Sequence, residues 1–590
     1  MQRFFTGAGK RNAADGKHAP RRGNIVVLSA FLMVVMMAMI AFSVDVGYMF
    51  TLQAQLQRAV DSAALAGVGE LVNGIDEAEA AAKEYLVRNP VGSAAGSPGE
   101  GDLAAAQITF QTEHANDYSL TTGNWNPTTK SFAATNTLPS ALTVSMQYPN
   151  NPFFFARVLG KTTFTVAAQS TAQFQPRDIV LVLDYSASMN DDSLFTAIGK
   201  LSKETVEASL QNCWNDLGPP TYGNLTFTPK WAVAKGVNHN EGQSIPHVEV
   251  EYRNNAVYIV STKNLTTVKL EFNNGAQQTW SPSSTKTGTF QGSGGNAGQQ
   301  VRKVWVKSWL NANQFGSNGE YFDFTSANIN TTLKNALGLN TVTYPYPSGG
   351  SWNEYLEYVK WNDGPNFDAG YRYKFGGMNL VEYWMQAYPE NHKIPDLWKC
   401  RAEPLYALKD ATAVFVDFVK SIDTRDQMAL VIYNAPDGEA KLETALTTNI
   451  DPIETIVTQR QAGHYHQYTN IGAGFTKARQ HLDTNGRVNS AKMIVLMTDG
   501  LANWHNGTYD LAGAAQQISD ESAICLAKKY KVMTISVGVE ADTSTMQTVA
   551  DVTTGKHFNV PGGANHQTMH DQLYDAFEEI AKARPLMLVK

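Results

Sequence analysis

Residues 25–44 read IVVLSAFLMVVMMAMIAFSV, and only Ser29 and Ser43 among these twenty are polar. A helix of this length rises about 30 Å, the thickness of a bilayer's hydrocarbon core. Arg3, Lys10, Arg11, Lys17, Arg21 and Arg22 precede the run and Asp45 follows it. Basic flanks stay in the cytoplasm, so the N-terminus is expected there and the bulk of the chain on the far side. A cleaved signal peptide would carry a shorter apolar run, about 7–15 residues, with a small-x-small site behind it. No such site stands directly after Val44.

The remainder is long enough for two to four cores: 590 residues, 43% hydrophobic. A net charge of −7 with 17% charged residues gives no basic face, which excludes a nucleic-acid binder. Cys213, Cys400 and Cys525 are too few and scattered for a zinc site or a CxxC redox pair.

Residues 1–24 read as a basic tail and 25–44 as the transmembrane helix. Over 45–176 the pattern predicts helix first, then sheet. Leu52, Leu56, Ala59, Ala63, Ala66 and Val68 recur at helical spacing, so the membrane helix continues until Gly67, Gly69 and Gly74 interrupt it. Residues 76–89 add a helix stopped by Pro90. AQITFQTE (106–113), ALTVSMQY (141–148) and TTFTVAAQSTAQF (162–174) alternate and read as strands. A long helix followed by a small sheet is a pilin-like α+β layout.

From Ile179 the pattern becomes α/β. Apolar runs at 179–184, 427–434, 492–500 and 531–538 read as buried strands, and 440–447 as an edge strand. Amphipathic stretches at 403–422, 471–483, 510–530 and 566–583 read as helices. This alternation predicts a doubly wound, mostly parallel sheet built from 177–190 and 401–585. Residues 191–400 interrupt it as an insertion. Short alternating strands and the Asn274-Gly275 turn signal predict a β-sandwich at about 245–310 within it. The helix expected after the first strand resumes at about Glu403.

Ligands bind such sheets beyond the carboxyl ends of the strands. Three of those ends carry hard oxygen donors: Asp184, Ser186 and Ser188; Thr469; and Asp499, followed by Gly500. Two carboxylates and three hydroxyls suit Mg²⁺, which takes few protein carboxylates and keeps waters. A lone Asp-x-Ser-x-Ser is as often a helix cap. No Gly-x-Ser-x-Gly elbow marks either serine as a nucleophile. His464 and His466 read as solvated residues flanking the metal face, with zinc ligation as the alternative. Asp191 and Asp192 read as a solvated acidic rim. Trp352, Tyr355, Tyr358, Trp361, Tyr371 and Tyr373 could stack on sugars in a hydrolase, although core packing is their commoner use.

Asp184-x-Ser186-x-Ser188, Thr469 and Asp499-Gly500 together resemble the von Willebrand factor A domain with its metal-ion-dependent adhesion site (MIDAS). The resemblance implies Ser186, Ser188 and Thr469 as direct ligands, with Asp184 and Asp499 acting through water or one of them ligating directly. Mg²⁺ is the implied ion, with Mn²⁺ or Ca²⁺ as alternatives, and a partner's acidic group completes its shell. The N-terminal part is similar to TadG- and TadE-type proteins of Flp/Tad pilus assembly through Gly23, Asp45, Gly47, Asp61 and AALAG at 63–67. The residue five past Gly23 is Leu28, not the Glu of prepilins, which argues against prepilin-peptidase processing.

The expectation is a non-enzymatic, single-pass inner-membrane protein with its bulk periplasmic or extracellular. It would engage pilus or envelope components, or act as a pilus-independent adhesin. Cys213 and Cys400 bracket the insertion, and a disulfide between them would clamp its base.

Overall fold

The structure is a computed structural model and describes residues 24–92, 97–137, 139–227, 232–233, 248–308, 320–361, 364–371, 376–421, 424–434, 440–488, 490–561 and 565–589. The basic tail, Gly23 and Tyr373 lie outside them. The chain divides into two compact units, residues 1–174 with 586–590 and residues 175–585.

In the first unit one helix, α1 (Asn24–Glu70), carries the apolar run and continues beyond it. Residues 25–40 are all exposed, as a bilayer-facing surface requires. Further along, Leu52, Leu56, Ala59, Val60, Ala63 and Val68 are buried, so the helix turns from lipid-facing to core-forming. Gly67 does not break it. A Cβ there would stand 2.2 Å from Leu142 Cδ2, so glycine lets the helix lie close on the sheet. Helix α2 (Ile75–Arg88) follows.

The stretch read as a strand at 106–113 is instead helix α3 (Leu103–His114). Its opening Leu-Ala-Ala-Ala favours helix, and the alternation at Ile108 and Phe110 is too short to outweigh it. The sheet then runs β1 (Tyr118–Asn126), β2 (Ser131–Ala134), β3 (Ala141–Pro152) and β4 (Thr163–Phe174). Its order is β2-β1-β3-β4, closed by a strand at Leu586–Leu588 that pairs antiparallel with β4. The whole second unit is thus spliced into the connection between two neighbouring strands.

The second unit is built on β5 (Arg177–Asp184), every residue of which is buried. Short 3₁₀ turns lead from it to helix α4 (Lys203–Asp216). This helix, unforeseen in the sequence, buries Val206, Leu210, Cys213 and Trp214 in the core of the insertion. The insertion holds two four-stranded antiparallel sheets drawn from residues 232–323 and several short helices. Asn274-Gly275 turns one of its hairpins, with Gly275 at φ +80°. Trp352, Tyr355 and Tyr371 are buried in that core, while Trp361 is 54% exposed.

After the insertion come α5 (Leu405–Lys420), β6 (Gln427–Tyr433), β7 (Lys441–Thr447), α6 (Asp451–Thr458) and α7 (Ile471–Asn485). The chain closes through β8 (Ala491–Thr498), α8 (Leu511–Lys528), β9 (Lys531–Val537), α9 (Thr543–Val552), β10 (His557–Val560) and α10 (His566–Lys582). The six strands lie in the order β7-β6-β5-β8-β9-β10. All pairs are parallel except the edge pair β6–β7. Helices on both faces bury separate apolar cores. Strand order reverses between β5 and β8, which makes the carboxyl ends of those two strands the switch-point crevice.

Candidate metal centre

Asp184 is the last residue of β5, and Asp499 follows the last residue of β8. Apolar side chains on both faces hold these strands rigid, so their terminal carboxylates are fixed within the crevice. Asp184, Ser186, Thr469 and Asp499 are buried and Ser188 is half-buried.

Ser186 Oγ and Ser188 Oγ are 2.9 Å apart, and Ser188 Oγ donates to Asp499 Oδ1 at 2.9 Å. Asp184 Oδ1 accepts the Ser186 N–H at 2.8 Å. Asp184 Oδ2 accepts from Tyr433 OH at 3.1 Å and from Thr498 Oγ1 at 2.9 Å. The third segment is tied in through the main chain: Ala187 N donates to Gln467 O, and Thr469 exchanges hydrogen bonds with Asn503 at 2.9 and 3.0 Å. Asn470 caps α7, and Gly474 lets that helix close on the sheet. The two carboxylates and two serine hydroxyls therefore form one connected oxygen cluster, with Thr469 on an adjoining loop fixed to it.

Burial pushes the Asp184 carboxyl up, against the hydrogen bonds from Ser186, Thr498 and Tyr433. Asp499 is likewise raised, by burial first and then by the charges of Asp184, Asp191 and Asp192. Asp191 and Asp192 are not the solvated rim expected from sequence. Asp191 is half-buried and Asp192 buried, and burial lifts Asp191 to about 7 and Asp192 to about 6. Their strand-to-insertion turn is covered by the insertion: Phe195 N donates to Glu382, and Glu403 N to Ser193 Oγ.

Two buried carboxylates, Asp184 and Asp499, with the charges of Asp191 and Asp192 nearby, favour a cation, and the donors are hard oxygens, which fit Mg²⁺. Asp192 Oδ2, buried without a hydrogen-bond partner, points the same way. Among the described residues, no three His, Cys, Asp or Glu side chains converge as a metal site, because this cluster draws its remaining donors from hydroxyls.

His464 and His466 are half-buried rather than solvated; His464 packs edge-on against Tyr465 at 4.4 Å and His466 stacks on Tyr468 at 5.0 Å. Burial, then the Arg460 charge, lowers His464 to about 4, so it stays neutral. Cys213 and Cys400, the pair expected to bridge, lie buried side by side as thiols, with Cys400 Sγ 3.6 Å from Cys213 O. The base of the insertion is also held by Arg401 on Asp216, through N–H and guanidinium contacts of 2.9–3.1 Å.

Sequence reasoning missed Tyr433, Thr498 and Asn503, which hold the cluster in place. Thr498 precedes Asp499 and Tyr433 ends β6, so strand-end position was the available signal. It also missed the rim: Tyr468 stacks on Trp504 at 4.1 Å, and Leu501, beside Gly500, is 59% exposed.

Three family models match the chain. The Flp pilus-assembly TadE/G-like model covers residues 23–81, the Tad-like Flp pilus-assembly model 62–172, and the von Willebrand factor type A domain model 400–572. The last begins after the insertion, and β5 with Asp184, Ser186 and Ser188 joins it only in three dimensions. No curated protein matches. Among solved structures, an aerotolerance-related membrane protein from Bacteroides fragilis is 16% identical over 29% of this chain and 88% of that one, TM-score 0.22. A von Willebrand factor type A protein from Catenulispora acidiphila is 19% identical, covering 30% and 37%, TM-score 0.23. The proximal thread matrix protein 1 of the mussel byssus is 11% identical, covering 71% and 98%, TM-score 0.24.

Proposed function

Starting from a TadE/G-like chain with one membrane-spanning helix and a von Willebrand factor type A domain, we propose a metal-dependent docking protein of the Tad pilus or cell surface. Its bulk would lie outside the cytoplasmic membrane, with the N-terminus inside. The architecture is that of structural and adhesive proteins rather than of catalysts. The observation that carries the reading is the oxygen cluster of Ser186, Ser188 and Asp499 over Asp184 at the sheet's switch point.

Ser186, Ser188 and Thr469 would hold Mg²⁺, with Asp184 and Asp499 balancing its charge. A bound Mg²⁺ supplies a coordination position for a partner's carboxylate. The residues themselves bind and orient. Tyr433 and Thr498 pin Asp184, and Asn503 pins the Thr469 main chain. Leu501, Tyr468 and Trp504 offer apolar and aromatic area around the acidic centre, the composition of an interface core. The insertion emerges from the Ser188 loop and so borders this face. We also propose that Cys213 and Cys400 can bridge in an oxidising compartment, which alkylation followed by non-reducing gels would check.

Titration of the purified full-length protein with Mn²⁺, followed by electron paramagnetic resonance, tests the site. Wild type should bind one ion competitively with Mg²⁺, and a Ser186→Ala/Ser188→Ala double variant should lose it. Equal binding by both proteins would refute the assignment.

A further inference from the structure

Asp45, one residue past the apolar run, is only 4% exposed although every residue of that run except the partly covered Ala41 is exposed. Its carboxylate is occupied by one loop, the tip between β3 and β4. Asp45 Oδ1 accepts from Phe154 N at 2.7 Å, and Oδ2 accepts from Phe155 N at 3.1 Å and Ala156 N at 2.7 Å. Three consecutive N–H groups at the start of the 3₁₀ turn Ala156–Leu159 are thereby bound to the membrane helix at the point where it leaves the bilayer. Tyr48, one turn on, packs edge-on against Phe154 at 5.0 Å and Phe164 at 5.9 Å. Ala41, one turn back and inside the apolar run, is the first residue of that run to be partly covered.

The side chains this loop presents are unusual for a hairpin tip in water. Phe154 is 56% exposed, Phe155 47% and Val158 89%. Phe50, on the helix just beyond, is 71% exposed. Arg157 and Lys161 are exposed among them. Apolar side chains interleaved with basic ones, fixed level with the end of a transmembrane span, match the boundary between acyl chains and phosphate headgroups.

We propose that the β3–β4 tip is a second membrane contact: Phe154, Phe155 and Val158 enter the leaflet next to the folded unit, Arg157 and Lys161 meet lipid phosphates, and Asp45 locks the tip to the helix. Helix and hairpin would then hold the first unit at a fixed height and tilt on the bilayer, rather than leave it swinging on one helix.

The test uses full-length protein in lipid nanodiscs with single cysteines carrying an environment-sensitive dye, since the three native cysteines are buried. Val158→Cys reports the tip. Thr129→Cys, in the turn at the opposite end of the sheet, is the water control, roughly 40 Å away by strand rise. Ser29→Cys, within the apolar run, confirms that the helix is inserted. The dye at 158 should emit blue-shifted and be quenched by spin-labelled lipid at least threefold more than at 129. Adding Asp45→Ala should at least halve that quenching while leaving Ser29→Cys unchanged. Water-like emission at 158 with an inserted helix would overturn the proposal, as would a blue shift without lipid quenching. Unchanged quenching in the Asp45→Ala background would remove Asp45 from it.

Discussion

The two ends of β5 solve the same problem in opposite ways. At its start, Arg177 is fully buried. Its guanidinium donates to Asp426 at 2.8 and 3.0 Å and to the carbonyls of Ile580, Ala581 and Ala583 at 3.1–3.2 Å. Its neighbour Asp178 is held by Arg487 N and Nε at 2.6 and 2.7 Å and by Ser490. At the other end, seven residues on, Asp184 meets hydroxyls, an amide and the charge of a second carboxylate, and no basic side chain among the described residues is hydrogen-bonded to it. One end is closed by the protein itself. The other is an acidic cluster that a cation would complete. Buried charge paired within the chain serves the fold, whereas buried charge of one sign marks a candidate site.

Breaking the closed end should have the largest effect. Arg177→Ala strands Asp426 and three carbonyls, a loss of about 3–5 kcal/mol for one partner of a buried pair. Arg584, 3.8 Å from Asp426, offsets part of this. Calorimetry of the full-length protein should show a lower unfolding transition whether or not Mg²⁺ is present. The open end should respond with the opposite sign. Asp499→Asn removes one charge from the cluster, so the metal-free protein should become more stable. Wild type should gain about 2.7 kcal/mol from Mg²⁺ at a hundredfold excess over its Kd, and the variant should lose that gain. If Asp499→Asn instead destabilises the metal-free protein, the two ends are alike and the contrast fails.

A smaller change probes how the open end is held. A Cβ on Gly474 would lie 2.8 Å from Tyr433 Cδ1 and from Val182 Cγ1. Gly474→Ala should cost about 1–3 kcal/mol by overpacking. It should also weaken Mn²⁺ binding, because the displaced Tyr433 hydroxyl holds Asp184. Intact metal affinity with lowered stability would show that Tyr433 serves packing alone.

The candidate site was legible because its residues sit at ends of runs with one possible reading. IVLVL and MIVLM are apolar throughout, so they predict strands buried on both faces, and Asp184 and Asp499 mark where they stop. What sequence could not show was decided by partners far along the chain. Asp191 and Asp192 look like solvated acids until the insertion, some two hundred residues long, folds back over them. Alternation in AQITFQTE suggested a strand, yet no residue of α3 is fully buried, so local propensity decided where packing did not. The short strand at Leu586–Leu588 has no pattern of its own and is ordered by pairing with β4.

Glu382, in the insertion, separates burial from clustering. It is fully buried, accepts the Phe195 N–H at 3.0 Å, and burial raises it to about 8, with no carboxylate among the causes. A carboxyl whose folded pKa lies above its unfolded value of about 4.3 binds more protons in the folded state, so stability falls as pH rises between the two. His570 acts in the same direction. Burial lowers its pKa, but the Glu403 carboxylate, 2.9 Å from Nε2, outweighs that and leaves it raised. Its contribution is complete below the unfolded value of about 6.5 and fades as pH rises through the folded one. The unfolding midpoint at saturating Mg²⁺ should therefore decline from pH 5 to pH 8.5. Glu382→Gln should remove the larger share of that slope, His570→Gln the smaller, and neither should alter Mn²⁺ affinity. A slope that survives both substitutions would place its origin in the acidic cluster and show that metal does not suppress the repulsion there.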